Sequence, residues 1–348
     1  MMNSKCVMTV RCSLASMLLC AVLLAVASIP VCAAIMVYVI QEHHHGHCPG
    51  DPCHPLSYYE QRVPQYFLSD TTMVFLNGTH YLEALQPLII KDIENFTMVG
   101  SGGFTNGLQG LLEARSKIKC LGTHRSGFNF INVTGIHIEN LTFTHCGQEV
   151  VSGVRAALAF DVAYNVNLSR VTVRNSSGFG LHADRVFGSV WVYESAFLYN
   201  TGNKEYYGGN ARFWYGECPE DPSTHLQIES SYFLHGYDTS KKYHLYYPSA
   251  TGLTLLIYCP AIKATINNIT VVGNQADNGG NLAIKFTDFT SNYHYDDEVP
   301  SVIVNNSRIT GGTGHRGGGL RVWSVIVSAT KEQMSYNRTV VERCILWI

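Results

Sequence analysis

Charge is scarce in this chain. Asp, Glu, Lys and Arg make up only 14% of its 348 residues, against about 25% in an ordinary soluble domain. The 24 basic residues nearly cancel the 26 acidic ones, leaving a net charge of −2, and neither sign gathers into a tail or arm. That excludes the basic footprint on which nucleic-acid binding depends. Cysteine is thin as well: 11 in this length are too few for a small disulfide scaffold. What abounds is apolar, and 46% hydrophobic residues rule out a disordered chain. The length suits two ordinary domains, or one large solenoid or barrel. Solubility at so low a charge has to come from something other than Lys and Glu.

The longest uncharged run spans residues 12–40, behind Lys5 and Arg11. A basic start and an apolar stretch ending in small residues is the pattern of a secretory signal. Ala25-Val26-Ala27 and Val31-Cys32-Ala33 both read as cleavage sites. The run is equally long enough to cross a bilayer, which takes about 20 apolar residues, with its positive charges on the cytoplasmic side. Residues 1–41 are therefore read as a signal peptide or a signal-anchor helix. Either sends residues 42–348 out of the cell or onto its surface.

Two further features agree with export. Nine N-x-[ST] sequons, at Asn77, Asn95, Asn132, Asn140, Asn167, Asn175, Asn268, Asn305 and Asn337, are candidates for glycosylation. The competing reading is that Asn, Ser and Thr are favoured at turns. Cys6, Cys12, Cys20 and Cys32 lie in or beside the leader. Beyond it, Cys48 with Cys53, Cys120 with Cys146, and Cys218 with Cys259 are plausible disulfides, although spacing cannot fix connectivity. Cys344 is left over.

A seven-residue frame recurs along the chain. It begins at His137 and returns at Asn167, Trp191, Gln227, Thr265, Ile303 and Val340. Its second position reads Ile138, Leu168, Val192, Ile228, Ile266, Val304, Val341, and its seventh Phe143, Val173, Phe197, Phe233, Val271, Ile309, Leu346. The fourth is polar throughout: Asn140, Arg170, Glu194, Ser230, Asn268, Asn306, Arg343. A second apolar strand fits each interval, at residues 157–161, 181–184, 211–214, 253–258, 282–286 and 320–323. Glycine doublets precede several, as in Gly208-Gly209-Asn210 and Gly279-Gly280-Asn281. Short β-rich runs with polar bends fit no helical period. The unequal spacing suits stacked coils, each meeting only its neighbours, better than the equal blades of a propeller. The fold expected is all-β, a parallel β-solenoid over residues 71–348, behind a Cys/Pro/Tyr-containing cap segment at 42–70. Residues 341–348 repeat the core strand with no polar cap, which reads as a solenoid truncated at its C-terminal end.

The segment Thr72-Met73-Val74-Phe75-Leu76-Asn77-Gly78-Thr79-His80-Tyr81 resembles the opening coil of right-handed parallel β-helix proteins of the pectate-lyase-like superfamily. Phe96-Thr97-Met98-Val99-Gly100 resembles that family's later Val/Ile-Gly step. The alternation of Phe197-Leu198-Tyr199-Asn200 with Gly208-Gly209-Asn210-Ala211 is similar to repeats of bacterial polymorphic outer-membrane adhesins. Cys48-Pro49 and Pro52-Cys53-His54, with Leu56-Ser57-Tyr58-Tyr59, resemble large uncharacterised extracellular proteins of early-branching animals. The resemblance implies the fold. It leaves activity open, because the superfamily hosts lyases, hydrolases, esterases and adhesins.

A lyase of this fold would need clustered carboxylates for calcium and a basic residue to take the proton. A hydrolase would need paired acids on adjacent coils. Asp161 and Asp184 fall in equivalent strands, and aligning them sets Asp161 beside Arg185 and Asp184 beside Phe160, which reads as a ladder salt bridge. Asp296-Asp297-Glu298 reads as a solvated loop. Glu217-Cys218-Pro219-Glu220-Asp221-Pro222 reads as a turn stapled by cysteine. His43-His44-His45-Gly46-His47 concentrates metal-ligand types, but its spacing matches no structural zinc motif. No catalytic residue, metal or cofactor is assigned. Aromatics are the better lead: Tyr206, Tyr207, Trp214, Tyr215, Tyr246 and Tyr247 crowd the loops after residue 200, suited to stacking on sugars or anchoring a protein. The expected function is a non-catalytic recognition or adhesion surface for glycans or surface proteins. The alternative is a carbohydrate-active enzyme with a cryptic site. Acids stacked around a groove would favour the enzyme, and a contiguous aromatic groove the binder.

Overall fold

The computed structural model describes residues 35–42, 48–83, 88–106, 112–121, 127–151, 154–202, 208–216, 224–238, 251–259, 262–276, 280–287, 300–313, 318–325, 338–342 and 345–346. They form a parallel β-helix with three faces. The third face is a sheet of nine parallel strands whose spatial order is their chain order, from Gly78–Leu82 to Ile345–Leu346. Nine layers at about 4.8 Å make a stack of roughly 40 Å.

The recurring frame maps onto two of these faces. Ile138, Leu168, Val192, Ile228, Ile266, Val304 and Val341 stand in register on the second face. Phe143, Val173, Phe197, Phe233, Val271, Ile309 and Leu346 stand in register on the third. Between them the frame bends: Asn140, Arg170, Glu194, Ser230, Asn268 and Asn306 all have φ between 47° and 54°. This left-handed conformation reverses the chain in one residue, and Asn tolerates it best. Arg170 is held there by its Nε, which donates to Asn140 Oδ1 at 2.8 Å, and by its ion pair with Glu139. Inside, like stacks on like: Phe130 on Phe160 at 4.9 Å and Phe197 on Phe233 at 5.3 Å, both nearly coplanar.

The first face carries the second set of strands, and in three coils it runs continuously into the second face, as in Val154–Ser169. Those strands also bend through left-handed residues: Asn132, Val162 and Arg185 occupy equivalent positions with φ 52–54°. Asn132 suits the position and donates from Nδ2 to Asp92 Oδ1 of the preceding coil at 2.8 Å. Val162 does not, because a branched Cβ crowds the carbonyl there at a cost of about 1–2 kcal/mol. Val162→Asn is therefore expected to raise stability by about 1 kcal/mol, read as a higher urea midpoint. An unchanged or lower midpoint would contradict that strain.

The glycine-doublet motifs serve a buried amide spine at the turn between the third and first faces. Asn200, Asn210, Asn274 and Asn281 are fully buried. Asn200 Nδ2 donates to Asn210 Oδ1 (3.0 Å), Asn210 Nδ2 to Asn274 Oδ1 (2.8 Å), and Asn274 Nδ2 to Asn281 Oδ1 (2.8 Å). Main-chain groups take up the rest. Gly209, at φ 148°, brings the chain so close to Thr251 that a Cβ would lie 2.8 Å from its Cα.

At the N-terminal end the structure shifts a boundary. Ile35–Ile40, the last part of the apolar run, is a β-strand paired in parallel with Thr71–Phe75 and with Cys53–Pro55. Val37 and Val39 alternate into the core, fully buried, because period-2 alternation lets an apolar segment join a sheet as readily as a helix. Residues 1–34 lie outside the described residues, and among the described ones no helix is long and apolar enough to cross a membrane. Two short helices, α1 (Leu56–Glu60) and α2 (Val63–Tyr66), follow. Buried Tyr59 accepts from the His54 N–H at 3.0 Å and donates to Tyr38 O at 2.9 Å.

Candidate functional site

Alternation makes the outward face of the first sheet legible. In residues 158–161, Leu158 and Phe160 point inward, so Ala159 and Asp161 point out. The registers then stack two outward columns over five coils. One is Ala159, His182, Arg212, Thr254, Ala283, and the other Asp161, Asp184, Trp214, Leu256, Lys285. The first column faces out of the solenoid, yet none of its members is more than 5% exposed. In the second, Asp161, Asp184 and Trp214 are half-buried. Leu256 and Lys285 are buried like the first column, so the face is open at Asp161, Asp184 and Trp214.

Aromatic rings and cations interleave along it. His182 stacks on Phe179, with ring centroids 5.8 Å apart. The Arg212 guanidinium lies 5.0 Å from the Trp214 ring centroid and 5.8 Å from that of Phe179. Trp214 neighbours Tyr258 at 6.5 Å, and the Lys285 ammonium stands 5.8 Å from the Tyr258 ring. Burial pulls the Lys285 amine below its ordinary value. Cation–π contacts of this kind contribute about 0.5–2 kcal/mol each.

His182 is neutral here: burial, and secondarily the charge of Arg212, push its pKa down to about 3. Its Nδ1 has no hydrogen-bond partner among the described residues. Burial also lowers His80, whose ring nitrogens contact the carbonyls of Ile40 and Leu76. A depressed histidine binds protons in the unfolded chain first, so its contribution to stability is complete above about pH 6.5 and falls with pH. The slope is about 1.4 kcal/mol per pH unit for each such histidine, and for His182 it flattens near its folded value of about 3. Unfolding free energies at pH 7, 6 and 5 should show the slope, and His182→Gln should reduce it. An identical slope in the variant would mean that His182 is charged in the fold.

The acids are arranged differently from the sequence alignment. Asp161 pairs in register with Asp184, and Phe160 with Ala183. The alignment was one residue out, which would have turned Asp184 toward the core beside Phe160. The ion pair survives the shift: Arg185, at the following bend, reaches back to Asp161 and stands 4.0 Å from Asp184.

Of the aromatic candidates, Trp214 lies on this face, half-buried. Tyr215 follows it on the opposite side of the strand, 1% exposed, with its phenol pushed up by burial. Tyr206, Tyr207, Tyr246 and Tyr247 lie outside the described residues, as do the 43–47 histidines, residues 217–222 and the acids at 296–298. Among the described residues no group of His, Cys, Asp or Glu is placed to hold a metal. His182, Arg212, Tyr258 and Lys285 were not singled out from sequence. The available signal was a polar residue at alternate positions of otherwise apolar strands, as in Leu181-His182-Ala183-Asp184.

Disulfides join Cys48 to Cys53 and Cys120 to Cys146. Cys259 is also disulfide-bonded; Cys218 lies outside the described residues. Such bonds fit an oxidising compartment. Among the sequons, Asn77, Asn95, Asn132 and Asn268 are exposed, and Asn140, Asn167, Asn175 and Asn305 half-buried. Asn337 lies outside the described residues.

No protein-family model and no curated protein matches the chain. Among solved structures, the A-module of the Azotobacter vinelandii mannuronan C-5 epimerase AlgE6 aligns over 80% of this chain and 91% of that one, at 11% identity and a TM-score of 0.30. A likeness that distant carries no argument, so the fold rests on the sheet registers. No link to extracellular proteins of early-branching animals is found.

Proposed function

We propose that this is an exported β-helix that binds glycan chains along the outward face of its first sheet, as a non-catalytic recognition surface. The observation that carries the reading is half-buried Trp214 on the open part of this face, with the Arg212 guanidinium 5.0 Å from its ring centroid, half-buried Tyr258 beside it at 6.5 Å, and the Lys285 ammonium next to Tyr258. Flat rings offer stacking faces to sugars, and the interleaved cations favour acidic units among them. Export is supported by the disulfides, the sequons and the leader pattern read over residues 1–41, which would tether the protein to a membrane if it stays uncleaved.

The test is a glycan array probed with the secreted protein, spanning neutral and acidic polysaccharides at two salt concentrations. Salt-sensitive binding to acidic chains, without release of reducing ends or unsaturated products, is the expected result. Absence of binding to any glycan would overturn the proposal. One observation favours a second reading: Asp161 and Asp184 stand in register on adjacent strands of the outward face, and paired acids on adjacent coils are what glycoside hydrolysis needs. Turnover abolished by Asp184→Asn would establish that enzyme reading instead.

A further inference from the structure

The second face carries an exposed aromatic that neither the core nor the first face uses. Trp191 is 45% exposed, in the middle of a strand. Its side chain points away from the core, since Val190 and Val192 on either side are buried. Exposing a tryptophan on a regular sheet leaves a large apolar plane in water. The residue directly beside it on the preceding coil is Asn167, in register with Trp191 on one side and His137 on the other. Asn167-Leu168-Ser169 is a sequon, and Ser169 shares its outward face.

We propose that Asn167 carries an N-linked glycan whose first N-acetylglucosamine stacks on the Trp191 indole. Neighbouring parallel strands lie about 4.8 Å apart, and side chains on a sheet stand roughly perpendicular to it. A sugar attached to Asn167 Nδ2 therefore rises beside the indole plane, presenting its apolar C–H face to the ring. Three other sequons lack this arrangement. Asn95, Asn132 and Asn268 sit at left-handed bends, with their amide nitrogens donating to Asp70, Asp92 and Ser230 of the preceding coil. On the far side of Asn167, His137 contacts Glu139 at 3.0 Å, which leaves Trp191 as the apolar neighbour. The attachment is a condensation in which the amide nitrogen displaces the lipid pyrophosphate of the oligosaccharide donor, the ordinary transfer of the secretory pathway. The inference rests on export and is independent of any ligand on the first face.

The experiment is secretion of the full chain from a eukaryotic cell line, followed by glycopeptide mass spectrometry. Trimming to a single N-acetylglucosamine and a double-mutant cycle of Asn167→Gln with Trp191→Ala complete it. Occupancy of Asn167 is expected, with the trimmed protein as stable as the untrimmed one. Asn167→Gln should lower the melting temperature by about 1–4 °C, and the loss should vanish in the Trp191→Ala background. Trp191 is exposed enough for both variants to fold. An unmodified Asn167 in secreted protein would overturn the proposal, as would occupied Asn167 with strictly additive effects. Loss of glycan-array binding in any of these variants has no bearing on it, so the two readings fail separately.

Discussion

Replacing Asn274 with alanine is expected to cost the fold about 3–5 kcal/mol. The side chain is fully buried and works on both of its ends. Its Oδ1 accepts from Asn210 Nδ2 at 2.8 Å and from the Gly236 N–H at 2.7 Å. Its Nδ2 donates to Asn281 Oδ1 at 2.8 Å and to the carbonyl of Phe233 at 2.9 Å. Alanine removes four bonds at once. Asn281 Oδ1 keeps the Asn274 N–H at 3.1 Å and Asn210 Nδ2 keeps the Leu234 carbonyl at 3.1 Å. The Gly236 N–H and the Phe233 carbonyl lose this partner in the dry interior, where each buried orphan costs about 1–3 kcal/mol. Because coils meet only their neighbours, the damage should centre on the coils around residues 233–281. Hydrogen exchange should open there first, with a lower urea midpoint overall. The control is Asn306→Gly, at an exposed left-handed bend where glycine is equally at ease, and it should change the unfolding free energy by no more than about 0.5 kcal/mol. Equal effects of the two substitutions would mean that the spine carries no special share of stability.

Trp214→Ala should weaken glycan binding by about 10–100-fold, the range that follows from losing 1.4–2.8 kcal/mol at a stacking residue. Trp214 links the cations of the site: Arg212 lies over its ring and Tyr258 beside it. Removing the indole takes away a stacking face and frees the guanidinium from its support. Arg212→Met separates these roles, since it retains an apolar side chain and deletes the charge. It should weaken acidic ligands by about tenfold and leave neutral ones unchanged. Titration of an array hit against the three proteins, with circular dichroism to verify folding, reads both effects. Unchanged affinity in folded Trp214→Ala would remove the first face from the binding site.

The same geometry explains how so weakly charged a chain is accommodated. Much of its apolar content lies in the aliphatic and phenylalanine columns of one long core. The bends are filled by residues such as Asn132, Ser230, Asn268 and Asn306, which hydrate or bond to the next coil without a formal charge. Glycan on the sequons would add to that hydration.

The repeating frame from His137 to Leu346 was sufficient to assign the fold, the register of two faces and the inward columns, because inward side chains must match their neighbours above and below. It concealed that each frame is two strands: a single left-handed residue at Asn140 or Glu194 leaves no mark beyond a polar letter. Asp161 and Asp184 were matched one residue out, since the bend between the first two faces is invisible to an alignment of strand cores. The strand at residues 35–40 was absorbed into the leader, because an apolar run does not say which partner will bury it.

The sequence by itself determined a parallel β-solenoid and its core, since a stacked fold writes its periodicity into every coil. It also marked Trp214 and the sequons as positions to watch. Only the tertiary structure decided that Trp214 faces out while Tyr215 faces in, and that His182 and Arg212 lie buried on an outward face. It alone set Trp191 beside Asn167. Those relations join residues about 24–42 positions apart, and such proximity is set by coil length and bend geometry, quantities that composition and motif do not carry.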